Sequence, residues 1–316
     1  LFFLGLEFSI ETLLRNRRRL VKVGGIDILV NGAAGIVISL AFGFGPVTTL
    51  LLVGVVYISS SAIITKALTE VGWLANPESE VILGTLVIED VVIAVYLAVI
   101  TALLVGGGST SSIAVTVAQA FAFLALLAVV ALYGTRYVER LFAVASTELF
   151  ILRVVGVTVL VGGVALAIGA SEAVAAFFVG AAFHDTTLVG RLERELAPLR
   201  DVFAALFFFS IGVSTDLRVV ADVGLLIAVA TLLTTLSKLA SGVASGYVYG
   251  LSRRRSVRVG LGLLPRGEFS LIVAALAATS TIPEAQQVIP AFTVGYVLAM
   301  SVIGSVAIQY GSRSFG

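Results

Sequence analysis

The stretch from about Glu80 to Leu104 constrains this chain more than any other. It is apolar almost throughout, and it is long enough to cross the hydrocarbon core of a bilayer, which takes roughly 20 helical residues. Near its middle, in Leu-Gly-Thr-Leu-Val-Ile-Glu-Asp-Val-Val-Ile (83–93), stand two adjacent carboxylates, Glu89 and Asp90. An acidic side chain at bilayer depth costs at least about 2.5 kcal/mol on insertion scales. An adjacent pair costs more, because like charges resist ionising together. Either the pair has a function at that depth, or one or both acids stay protonated and serve as hydrogen-bonded structural links.

The rest of the chain repeats this apolar pattern. Of 316 residues 59% are hydrophobic and 12% charged, and the mean hydropathy is +1.11. A soluble fold cannot hide that much apolar surface, so the chain reads as an all-α polytopic membrane protein. Apolar runs with polar breaks mark eleven candidate spans, at 1–14, 24–44, 47–66, 80–104, 112–133, 148–169, 171–183, 201–215, 222–250, 257–279 and 288–310. The runs 171–183 and 201–215 are short for a full crossing. A net charge of +1 offers no basic face for nucleic acid, and with no cysteine there are no disulfides, thiol redox chemistry or cysteine metal sites. His184 is the single histidine, which provides neither a His-rich metal site nor a catalytic triad. An enzyme is therefore not expected, nor a cofactor. The chain opens directly in apolar Leu-Phe-Phe-Leu-Gly-Leu without an initiator Met, so it reads as a fragment cut within its first span.

Loop charges set the orientation. The loops at 15–22, 66–79, 134–147, 184–200 and 251–258, together with the tail, hold sixteen of the 20 basic residues. The loops between them hold only Arg218. This alternation supports the span order and places the basic loops and the C-terminus in the cytoplasm of a multi-pass cell-membrane protein. Segment 184–200 alternates charge and leucine at helical spacing and predicts an amphipathic cytoplasmic helix at the interface.

Three basic residues lie outside the loops. Arg153 is near a span end and can snorkel, whereas Lys238 and Arg266 sit deep. A buried lysine must lose its proton or find an anion, and the acids at that depth are Glu89, Asp90 and Glu268. A charge pair between Lys238 and the acidic pair is the natural expectation. It can be part of transport or a structural salt bridge. Two spans carry helix-breaking features at mid-depth. In 47–66, Ser59, Ser60, Ser61 and Thr65 can replace backbone bonds lost where a helix unwinds. In 257–279, Pro265 removes a donor and Gly267 relaxes the backbone, flanked by Arg266 and Glu268. The crossings 24–104 and 222–310 are two triplets that start from opposite faces, an inverted repeat with an interrupted helix in each. Interrupted helices meeting at the midplane are typical of secondary-transporter sites.

Gly-Leu-Glu-Phe at 5–8, Ser-Ser-Ser-Ala at 59–62, Glu-Asp at 89–90, Phe-Phe-Phe-Ser-Ile-Gly-Val-Ser-Thr-Asp at 207–216, Lys238 and Arg-Gly-Glu-Phe at 266–269 occur in this order along essentially the whole chain. On these residues the chain resembles the monovalent cation:proton antiporter-2 family, which includes Kef-type potassium-efflux antiporters. The resemblance implies a sodium/proton-antiporter-like fold of thirteen spans with two crossed discontinuous helices. It also implies a mobile core, a dimerisation domain and a homodimer. Two spans would precede this chain, and the cytosolic nucleotide-binding regulatory domain that many members carry would be missing from it. The family's ion-binding aspartate maps to Asp90, its partner to Glu89 and its charge-balancing lysine to Lys238. The unwound crossing maps to Ser59–Ala62 and Pro265–Glu268. Glu89 departs from the Asp-Asp pattern associated with electrogenic sodium exchange.

The expected function is secondary antiport of K+ or Na+ against protons by alternating access. Asp90, Glu89, Ser60 and Ser61 would bind the cation or proton, and Lys238, Arg266 and Glu268 would balance charge. The expected domains are a truncated N-terminal span (1–14), a first core half (15–133), scaffold or dimerisation spans (134–221) and a second core half (222–316). Two rivals use a similar scaffold. A cation channel would need a continuous polar stripe, whereas polar clusters occur here only at mid-depth. An organic-anion symporter of crossed-helix architecture would need a larger cavity and no buried lysine beside the acids.

Overall fold

A computed structural model describes residues 2–7, 17–73, 76–105, 110–168, 170–214 and 217–314. Most of the first expected span, Phe8, Thr215 and Asp216 of the family motifs, and Arg15 lie outside the described residues. The described residues are helical nearly throughout: α1 (Phe2–Glu7), α2 (Arg17–Ala41), α3 (Pro46–Tyr57), α4 (Ser61–Glu70), α5 (Pro77–Val105), α6 (Thr110–Tyr133), α7 (Thr135–Phe142), α8 (Thr147–Ala167), α9 (Glu172–Ala181), α10 (Val189–Ser214), α11 (Leu217–Asp222), α12 (Gly224–Val248), α13 (Arg253–Gly262), α14 (Glu268–Ala278) and α15 (Pro283–Ser314).

Helix starts follow local chemistry. Proline opens α3, α5 and α15, where its fixed φ suits the first turn and its missing N–H has no partner to lose. Serine caps α4, α8 and α9: Ser60, Ser146 and Ser171 accept from the N–H groups of Ile63, Leu149 and Val174.

Among the described residues, six segments are long and apolar enough to cross a membrane. They are 18–41, 46–70, 77–101, 147–167, 224–248 and 283–311, and a seventh arises if α6 and α7, bent by 81° at Gly134, count as one. The helices α9 and α14 are shorter. Two boundaries differ from the sequence reading. The span expected from residue 24 lies in a helix that is already formed at Arg17, because the basic residues 17–22 share its helical backbone. The stretches 184–200 and 201–215, read as an interfacial helix followed by a span, form one helix from Val189 to Ser214 that carries Pro198 within it. Charge and leucine at helical spacing, followed by an apolar run, leave no break in the backbone between them.

The chain divides into two compact units, and the division falls inside α5, between Ile93 and Ala94, and again inside α10, between Ser210 and Ile211. The unit of residues 1–12 and 94–210 thus takes in 94–133, which the sequence reading assigns to the first core half. Its core gathers Leu6, Phe142, Phe150, Val154, Phe183 and Leu192. Arg191 lies 4.2 Å over the ring of Phe150 and donates to the carbonyls of Val144 and Ala145.

The unit of residues 13–93 and 211–316 is built from two helical triplets, α2 to the first part of α5 and α12 to α15. Each has an interrupted middle member, α3–α4 and α13–α14. The triplets interlock: α2 packs on α12, and α3 on α14 and α15. Close approach of α12 to α13 depends on glycine, since a Cβ on Gly242 would strike the backbone of Gly260. Small residues of this kind allow tight helix packing in lipid, where apolar attraction between helices is weak.

Candidate functional site

Two interruptions meet in the second unit. Between α3 and α4 the backbone is extended, with Ile58 at φ −77°, ψ 134° and Ser60 at φ −93°, ψ 107°. Between α13 and α14 the helix is interrupted over 264–267. The two segments cross in contact. The Ser60 N–H donates to the Pro265 carbonyl at 2.9 Å, and Ser270 Oγ donates to the Val55 carbonyl at 2.7 Å. A Cβ on Gly267 would strike Ser60 Oγ, so this crossing needs glycine for its close approach rather than for an unusual backbone angle.

An interrupted helix leaves orphan carbonyls at one end and orphan N–H groups at the other, with partial charges of opposite sign. At this crossing each kind of end has its own side chain. Arg266 is fully buried. It donates to the Val56 carbonyl at 3.3 Å and to the Leu263 and Leu264 carbonyls at 3.0 Å. It thereby places its charge on the C-terminal ends of both α3 and α13. Glu268 opens α14 and accepts from Ser60 Oγ at 2.8 Å and Ser61 Oγ at 3.4 Å, so its carboxylate serves the N-terminal ends of α4 and α14. Each of these two charges thus lies against a helix end of opposite partial charge.

A second cluster lies alongside. Lys238, on α12 and fully buried, donates to Glu89 Oε1 at 2.5 Å. It also donates to Asp27 Oδ2 at 2.8 Å and Oδ1 at 3.0 Å. Three contacts engage the three N–H bonds of the ammonium. Tyr57 adds its ring face, 5.2 Å from Nζ. Glu89 is held from the other side by the interrupted segment: its Oε2 accepts from the Ser59 N–H at 2.6 Å, and Ser59 Oγ lies 3.0 Å from Oε1. Arg266 reaches the same Ser59 hydroxyl at 3.4 Å. Glu89 thus links the lysine to the crossing, and Asp90 follows it on α5, also buried.

The structure brings Lys238, Glu89 and the interrupted segment together, with Ser59 making the bonds to Glu89 while Ser60 and Ser61 turn to Glu268. Asp27 was not among the expected anions. It follows the basic stretch 15–22 closely, so it reads as a residue at the edge of its span. The helix is already formed at Arg17, nearly three turns before Asp27. One signal was available: Asp27 and Asn31 are four apart and share a helix face. Asn31 Nδ2 donates to Asp27 Oδ1 at 2.8 Å, Ser241 Oγ donates to Asp27 Oδ1 at 3.0 Å, and Ser237 Oγ donates to Asn31 Oδ1 at 2.7 Å.

A buried acid–amine–acid bridge beside two crossed, interrupted helices in an inverted repeat is the architecture of a secondary transporter. The chain belongs to the sodium/hydrogen exchanger family, whose transmembrane model matches residues 1–310. It is 34% identical over 316 residues to the K(+)/H(+) antiporter subunit KhtU of Bacillus subtilis, covering 100% of this chain and 77% of that protein. It is 32% identical over 311 residues to the ammonium/H(+) antiporter subunit AmhT of Alkalihalophilus pseudofirmus, covering 98% and 78%. The fold is that of the sodium proton antiporter MjNhaP1 of Methanocaldococcus jannaschii, with a TM-score of 0.73 at 16% identity, over 99% of this chain and 82% of that one.

Proposed function

We propose that this chain is the membrane part of an antiporter that exchanges a monovalent cation for protons by alternating access. The observation that carries the reading is the buried Lys238–Glu89 bridge fastened through Ser59 to the helix crossing. Asp90 is the exchanging carboxylate, holding either a proton or a dehydrated cation. A carboxylate with hydroxyl and carbonyl oxygens suits a hard cation, and a site taken out of water lets protons compete for the same oxygens. Glu89 and Lys238 offset its charge as it empties and fills. Arg266 and Glu268 keep the helix ends of the crossing neutral throughout, so the unit that contains them can move without carrying bare charge through lipid.

The relatives named for potassium and ammonium favour K+ over the smaller Na+, since K+ and ammonium are alike in size and charge. The basic loops and the C-terminus face the cytoplasm of a cell membrane, by the loop-charge asymmetry. The unit containing residues 94–210 is the scaffold, and it carries the contact of a homodimer.

Proton flux in reconstituted vesicles, measured as each cation is added in turn, tests this. K+ should drive proton movement more strongly than Na+ at equal concentration, and Asp90→Asn should lower the flux at least tenfold. Flux that survives Asp90→Asn unchanged overturns the assignment of Asp90. Current down a cation gradient with no accompanying proton movement overturns antiport in favour of a channel.

A further inference from the structure

Lys238 has one more carboxylate than charge balance with Glu89 requires. Two of its three N–H bonds go to Asp27 and the third to Glu89. Asp27 is itself held by Asn31 and Ser241, and all four side chains other than Glu89 sit on the packed pair α2 and α12. Asp27, Asn31, Lys238 and Ser241 are each at most 1% exposed. Glu89 differs in kind, because its other bonds go to Ser59 in the interrupted segment. The ammonium therefore joins a fixed acid, fastened within a helix pair, to an acid fastened to the crossing.

We propose that Asp27 is a positioning residue for exchange: it is the standing counter-ion of Lys238, which frees Glu89 to change its charge as the neighbouring site loads and empties. This rests on the antiport reading above. Without Asp27, any proton or cation that neutralised Glu89 would strand an ammonium in a medium that solvates it poorly. Lys238 would then hold Glu89 exclusively, and an arriving cation would compete with it. With Asp27 in place, the ammonium keeps two of its three bonds whichever state Glu89 takes.

The test is cation-driven proton flux by the protein in vesicles, separated into cation KM and maximal rate. Asp27→Asn should raise KM for the cation about tenfold. Asp27→Glu, which restores the charge one methylene further out, should return KM to within about threefold of the unaltered protein. A purely structural role would lower the maximal rate, by leaving less folded protein, without moving KM. An Asp27→Asn protein with unchanged KM overturns the proposal. Because Asp27 acts through Lys238, its charge should have no further effect on KM once the lysine is neutral. Asp27→Asn combined with Lys238→Gln should match Lys238→Gln alone, and a further rise in KM overturns the proposal. This pair also decides the matter if Asp27→Asn alone does not fold. Absence of any cation-driven proton flux in the unaltered protein is a different result, and it rejects the antiport reading itself.

Discussion

The two helical triplets of the second unit share a backbone plan and differ in charge. Each interrupts its middle helix and opens its third with Pro-Glu, at Pro77–Glu78 and Pro283–Glu284. In each case that glutamate reaches the first half of the other triplet's interrupted helix. Glu78 accepts from Arg258 of α13 at 2.8 Å. Glu284 accepts from Thr48 of α3 at 2.9 Å and from the Gly45 N–H at 3.4 Å. The first triplet, however, brings the acids Asp27, Glu89 and Asp90 to the region of the crossing, whereas the second brings the bases Lys238 and Arg266 with one acid, Glu268. The interruptions also differ in cause. Serines release α3 from α4, and Pro265 with Gly267 separates α13 from α14. A pseudo-symmetric backbone places the two breaks face to face, and opposite side-chain charges make their meeting tolerable in lipid.

The largest break in this comparison is removal of the base that joins the triplets. Lys238→Leu leaves Asp27 and Glu89 as buried acids without their shared cation. It should cost about 3–5 kcal/mol, read as a lower unfolding temperature in detergent. Next is Arg266→Leu, which strips the C-terminal carbonyls of α3 and α13 of their donor. A loss of about 2–3 kcal/mol is expected in the same unfolding assay.

The Pro-Glu contacts sharpen the comparison further, because related positions carry different chemistry. Glu78 is fully buried against Arg258, so Glu78→Gln should cost about 1.5–3 kcal/mol. Among the described residues Glu284 meets neutral donors at a helix start, so Glu284→Gln should cost about 0.3–1 kcal/mol. Equal losses at the two sites would show that the ionic character of the first contact contributes nothing.

Much of this site was legible before any coordinates. Glu89, Asp90, Lys238 and Arg266 stand out because charge inside an apolar run is costly, and that cost is a property of the residues themselves. Pro265 and Gly267 announce their break through backbone chemistry alone. The serine break is weaker evidence, since serines also line ordinary helix contacts, and only the bonds from Ser59 to Glu89 and from Ser60 to Glu268 give it its meaning. Asp27 was hidden for a related reason. A carboxylate one turn from a basic loop looks solvated, and its burial depends on where the helix starts and on what α12 presents to it.

The sequence by itself determined that this chain lives in a membrane, that its helices include two interrupted ones, and that acids and bases must meet between them, because single-residue costs in lipid are large and local. The tertiary structure alone decided the pairing: that Lys238 divides itself between Asp27 and Glu89, that Arg266 covers the carbonyl ends of two helices, and that Glu268 covers two N-terminal ends. Pairing depends on which faces of helices distant in the chain come within about 3 Å of one another, and a one-dimensional pattern does not carry that distance.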